Sequence, residues 1–96
     1  MDIQPLHTKI DKTIQTMYGL VVLEDPNGFP RSEINLYCIT PNGKFVWKAE
    51  KPDPNTLYSR VRLTEDGAIL STYTIGGHAC ELEPGSGKII SQATIK

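Results

Sequence analysis

The chain of 96 residues reads as all-β: about seven to eight short antiparallel strands in two related meander units, forming one domain over 1–96. Three observations predict this. First, residues 36–49 (LYCITPNGKFVWKA) and 79–93 (ACELEPGSGKIISQA) align with one gap. They match at Ile39/Leu82, Pro41/Pro84, Gly43/Gly87, Lys44/Lys88, Phe45/Ile89, Val46/Ile90 and Ala49/Ala93. Second, turn signals are dense: Asp25-Pro26-Asn27-Gly28, Pro41-Asn42-Gly43, Glu65-Asp66-Gly67, Gly76-Gly77 and Pro84-Gly85-Ser86-Gly87. Such Asn-Gly and Asp-Gly pairs close hairpins because both central positions tolerate positive φ. Third, the runs between turns are short and rich in Val, Ile, Leu, Thr and Tyr, which is strand composition.

The elements follow in order. Residues 6–18 fit two periods. Leu6, Ile10, Ile14 and Met17 fall on one face of a helix, with Pro5 suited to a first turn. Thr8, Thr13, Ile14 and Thr16 are β-branched and favour a strand. Matching Gly19 to Gly67 places this segment where 57–63 stands in the second unit. Residues 19–24 contain Leu20-Val21-Val22-Leu23, apolar on both faces, as in an inner strand of a packed sheet. The stretch 25–31 is a loop with no counterpart in the second unit. Strands are predicted at 34–40 and 44–50, completing unit 1 (about 6–50). Unit 2 (about 57–95) holds strands at 57–63, 68–75, 78–83 and 88–95. In 57–63, Leu57, Ser59, Val61 and Leu63 alternate with Tyr58, Arg60 and Arg62, a half-exposed strand with a polar outer face.

Composition bounds the function. Net charge is −1 and charged residues make up 22%, so no footprint for nucleic acid or for an anionic membrane is visible. The first fifteen residues lack the basic and apolar regions of a signal peptide. No run approaches the roughly 18 apolar residues of a membrane helix. A cytoplasmic chain is the expectation. A core this small gains from self-association, so a homo-oligomer is a further expectation. Cys38 aligns with Glu81, and Cys80 with Tyr37. The two thiols are one register apart in equivalent strands and are expected on opposite faces, reduced and buried.

The segment 79–90 (ACELEPGSGKII) resembles the blade repeat of the quinoprotein β-propellers, with its apolar residue, acidic turn and Gly-Lys. The earlier copy, 36–47, keeps Gly43-Lys44 and Trp47, while Ser91 stands at the Trp position in the second. The resemblance covers most of 36–93 and implies propeller-blade-like units of four strands. Propellers close with about 4–8 blades, so two units leave three arrangements: three chains forming six blades, two sheets packed within one chain, or a piece of a longer protein. No vicinal cysteine pair and no Asn/Asp/Glu cluster for a calcium-quinone site is present, so the resemblance implies no cofactor.

Candidate sites are few. Gly85-Ser86-Gly87-Lys88 lacks the P-loop's earlier Gly and its following Ser or Thr, and reads as a hairpin turn. His78 and Cys80 could share a face, but zinc needs three or four ligands, and a base two residues away in a strand stands too far from a thiol nucleophile. Trp47 reads as core beside Phe45. The candidate partner-binding residues are Phe29 and Arg31 in the long loop and the strip Tyr58, Arg60 and Arg62. Phe29 is either an exposed anchor or a buried pin. The chain is read as a non-enzymatic protein-interaction or self-assembling module without cofactor or metal. The alternatives are a small-ligand or carbohydrate binder at subunit junctions and a weak metal or thiol enzyme around His78 and Cys80.

Overall fold

A computed structural model describes residues 4–94. Its eight strands are β1 (Ile10–Thr16), β2 (Gly19–Glu24), β3 (Leu36–Ile39), β4 (Phe45–Lys48), β5 (Tyr58–Leu63), β6 (Leu70–Thr74), β7 (His78–Leu82) and β8 (Ile89–Thr94). They form two four-stranded antiparallel sheets, ordered β1-β2-β3-β4 and β5-β6-β7-β8. Among the described residues there is no helix. The segment whose period allowed either form is a strand: its β-branched residues pair with β2 from Ile10 through Thr16. Residue 95 of the predicted last strand lies outside the described residues.

The sheets repeat one another in detail. Each first strand carries a bulge at its second residue, between Ile10 and Lys12 in one and between Tyr58 and Arg60 in the other. Each last strand carries one near its start, where Val46 and Ile90 are skipped in the pairing. The backbone bond from Asp25 N–H to the Lys9 carbonyl recurs from Ile75 to Leu57. Thr40 to Lys44 recurs as Glu83 to Lys88. Through these registers the aligned pairs Ile39/Leu82, Phe45/Ile89 and Val46/Ile90 occupy equivalent places.

The sheets stack in the same sense, like successive leaves, rather than back to back. The face of the first sheet bearing Val21, Leu23, Leu36, Cys38 and Trp47 meets the opposite face of the second, bearing Tyr58, Val61, Leu70, Cys80 and Leu82, in one apolar core. The cysteines lie on the faces the repeat predicts. Cys38 and Cys80 do lie on opposite faces of their own sheets, but same-sense stacking turns both into the same core, free and buried. The sheets approach most closely where β5 passes β1 and β2. On the far side, Trp47 fills the space, and its indole N–H donates to the Pro84 carbonyl at 2.8 Å. A Cβ on Gly87, at φ +71°, would lie 2.4 Å from the Trp47 ring. Glycine is required there on both counts.

Asn35, wholly buried, joins the sheets as a piece of backbone would. Its amide N–H groups donate to the carbonyls of Glu24 and Tyr58 at 2.8 and 2.7 Å, and its oxygen accepts the Tyr58 N–H at 2.9 Å. Glu24, also buried, accepts the backbone N–H groups of Leu6, His7 and Thr8 and the Tyr37 hydroxyl. Burial pushes the Glu24 carboxyl up, but these four donors outweigh it and hold the group below its ordinary value.

Two outcomes follow. Asn35→Ala strands three buried backbone groups and lowers the unfolding free energy in urea by about 3 kcal/mol; an unchanged midpoint would contradict the bridging role. Because the folded Glu24 ionises more readily than the unfolded chain's, its contribution is full above the ordinary carboxyl value of 4.5 and drains as pH falls below it. Thermal melts from about pH 6 to about pH 3 should therefore show a smaller acid loss for Glu24→Gln than for the natural chain.

Candidate functional site: a basic groove along the fifth strand

The repeat supplies its own control for finding a site. Positions that carry Ile14, Val21 and Leu23 in the first sheet carry Arg62, Ser71 and Tyr73 in the second. Likewise Leu36, Cys38 and Trp47 become Ala79, Glu81 and Ser91. In the first sheet this face is core. In the second it points away from the core, and every large aliphatic has been replaced by a polar or smaller residue, or by Tyr73.

At the border of this face lies a groove of about 720 Å³. Residues 59–62 of β5 form one wall, Asp11 and Lys12 of β1 with Leu23 the other, and Ser71, Tyr73 and Ala79 the floor. The matched bulges place the wall residues: Lys12 and Arg60 each follow the bulge of their strand and pair with Leu23 and Tyr73, respectively. Ala79 is small where the first sheet has Leu36, which deepens the floor. Arg60 and Arg62 are exposed, and among the described residues neither joins an ion pair, the two pairs present being His7–Glu33 and Lys9–Asp25. The groove thus gathers Lys12, Arg60 and Arg62 against the single carboxylate of Asp11, on a chain of net charge −1.

The other expected site residues fare differently. Tyr58 leaves the predicted strip: it is wholly buried, because the bulge at Ser59 breaks the alternation and turns Tyr58 to the same face as Val61. Its hydroxyl donates to the Glu50 carbonyl. Phe29 is a pin, not an anchor; it is 4% exposed and meets the His7 ring edge-on at 5.0 Å. Arg31 stays exposed, while its carbonyl, with those of Glu33 and Pro54, accepts from the Lys51 ammonium at 2.8–2.9 Å. That ammonium ties the loop to the linker between sheets. Hence the structure brings Arg60 and Arg62 together and leaves Arg31, Phe29 and Tyr58 outside the groove. Lys12, Ser71 and Tyr73 were missed, since only the registers equate them with positions of the first sheet.

His78 and Cys80 gain no chemistry. His78 Nδ1 lies 3.2 Å from the Thr74 hydroxyl. Cys80 is 1% exposed, and burial pushes its thiol up, opposed in part by the neighbouring Tyr58 hydroxyl. Burial likewise raises Cys38. Among the described residues no group of three His, Cys, Asp or Glu could hold a metal, and no helix is long and apolar enough to cross a membrane. No family model, curated protein or solved structure matches the chain.

Both thiols should react with a disulfide reagent only after unfolding, since reaction needs exposed thiolate; fast labelling of either in buffer would show that the core opens.

Proposed function

We propose that the protein is a non-enzymatic interaction module that binds a protein partner through the basic groove of β5. The observation that supports this reading is the exchange between repeats. The face is mostly apolar in the first sheet, where Lys12 stands at the Arg60 position and Ile14 at the Arg62 position; in the second it carries Arg60 and Arg62, neither in an ion pair among the described residues, beside a recess of defined walls. Two arginines left unneutralised at a recess attract acidic groups and speed encounter. Half-buried His78, whose ring nitrogen faces the Thr74 hydroxyl, and buried Cys80 give catalysis no comparable support.

Self-association is the companion reading, and the same exchange shapes it. Continuing the stack head to tail would lay the second sheet's outer face on Val22, Tyr37 and Ile39, the apolar cluster on the outside of the first. The internal interface uses Leu23, Leu36, Cys38 and Trp47 for that contact, whereas the outer face offers Tyr73, Ala79, Glu81 and Ser91. Repeat stacks end on polar faces of this kind. This polar outer face disfavours a head-to-tail stack of copies, so a single chain is the expected state in solution.

Light scattering should return 10.7 kDa, the mass of one chain; about 32 kDa would instead mean a ring of three chains. In parallel, a partner captured by the natural chain and then purified should bind about tenfold more weakly to Arg60→Glu/Arg62→Glu. The melting temperature of that variant should be unchanged. Equal affinity would remove the groove from the binding site.

A further inference from the structure

We propose that the groove seats a phosphorylated side chain of the partner, its phosphoryl group held between Arg60 and Arg62 of β5 and the hydroxyls of Ser71 and Tyr73 of β6. This rests on the groove being the binding site. The registers set these four side chains at the corners of one rectangle on the second sheet's outer face: Arg60 pairs with Tyr73, and Arg62 with Ser71. The bulge at Ser59 lies before them, so alternation is regular from Arg60 to Arg62, and Val61 between them faces the core. Side chains directly opposite stand about 5 Å apart at Cβ, and those two apart along a strand about 6–7 Å. All four line the same recess. Ala79, opposite Tyr73 on β7, leaves the space above them open.

The four carry donors that the fold leaves over. Neighbouring hydroxyls are committed: Ser59 donates to the Tyr73 carbonyl, Thr72 to the Cys80 carbonyl and Ser91 to the Glu81 carboxylate. Among the described residues the half-buried Ser71 and Tyr73 make no such bond through their hydroxyls, and neither arginine joins an ion pair. A sheet face built for stability alone gains from carboxylates opposite its arginines; here a serine and a tyrosine stand there. The first sheet has Lys12, Ile14, Val21 and Leu23 at the equivalent places, so Arg62, Ser71 and Tyr73 are polar in the second copy alone.

Charge and shape select the occupant. A phosphate monoester brings about −1.5 to −2 charges at pH 7 and three acceptor oxygens, enough for two guanidiniums and two hydroxyls at once. A carboxylate has one charge and two oxygens, and leaves an arginine or both hydroxyls unmatched. Carboxylates border the site. Asp11 is on the facing wall with Lys12, and Glu65 and Asp66, in the turn after β5, share a second recess with Arg62. Glu81, next to Ser71 on β7, accepts the Ser91 hydroxyl at 2.7 Å. Each repels an anion, and together they confine it to the ground between the two arginines. An anionic membrane would press against all four carboxylates, whereas one phosphoryl group on an otherwise neutral polypeptide meets the arginines alone.

The test uses fluorescence anisotropy with the full chain and two labelled peptides of Gly and Ala, one with phosphoserine at its centre and one with Glu-Glu there. The phosphopeptide should bind about tenfold more tightly than the Glu-Glu peptide. Ser71→Ala/Tyr73→Phe, which removes only the hydroxyls, should bring it down to the Glu-Glu level, and Arg60→Glu/Arg62→Glu should abolish binding of both. Equal affinities for the two peptides, both lost in the arginine variant, would overturn phosphoryl recognition while keeping the basic groove as the site of an acidic partner. Cosedimentation with phosphatidylcholine vesicles carrying a phosphoinositide, without binding of the phosphopeptide, would overturn the polypeptide and give the phosphoryl group to a lipid. No binding of either peptide or of the vesicles would overturn the acidic-partner reading as well.

Discussion

The molecule depends on one buried amide. Two four-stranded antiparallel sheets have no backbone hydrogen bonds in common unless something makes them, and sheets held by apolar contact alone can slide or rotate. The Asn35 side chain is held to β2's last carbonyl by one bond and supplies two bonds across the junction to the start of β5. A primary amide carries two donors and an acceptor in one plane, so it copies a peptide group and fixes distance and direction together. All buried side-chain polar atoms among the described residues are satisfied, as a specified rather than a merely collapsed junction requires.

Asn35 pins the side where the sheets are close, and Trp47 fills the side where they part. The indole sits against Gly87, in the turn between β7 and β8, and hydrogen-bonds the Pro84 carbonyl. The Glu50 carboxylate accepts the Ile89 N–H, and its own N–H donates to the Gly87 carbonyl. The first repeat's last strand is thereby fastened to the second repeat's last hairpin. This explains why the second copy has Ser91 where the first has Trp47: the Trp serves the junction, and the outer face of the second sheet has no junction to fill.

Same-sense stacking also sorts the polar residues. Equivalent positions in the two sheets meet different surroundings, so a residue that suits one copy is wrong in the other. Val21 and Leu23 are core, while Ser71 and Tyr73 are floor of an open recess. The eleven-residue loop after β2, by contrast, is spent on structure. Phe29 plugs against His7, and the Lys51 ammonium gathers three carbonyls. Arg60 and Arg62 stay exposed beside the recess on the second sheet's outer face.

By itself, the sequence determined the strand runs, the turns and the pairing of two copies, because period-2 patterning and Asn-Gly or Gly-Lys turns are local. It also marked Arg60 and Arg62 as exposed. Tertiary structure decided the rest. Within 6–18, Ile10–Thr16 became a strand because β2 offers a partner, and an isolated period cannot report that. Tyr58 turned inward because of a single-residue bulge, which leaves no trace in an alternation of residue types. Cys38 and Cys80 met in one core because the sheets stack in the same sense. That orientation is set by Asn35 and Trp47 reaching across 23 and 37 residues. Packing between distant segments depends on side-chain volume and bond direction, and neither is written in the local pattern of a chain.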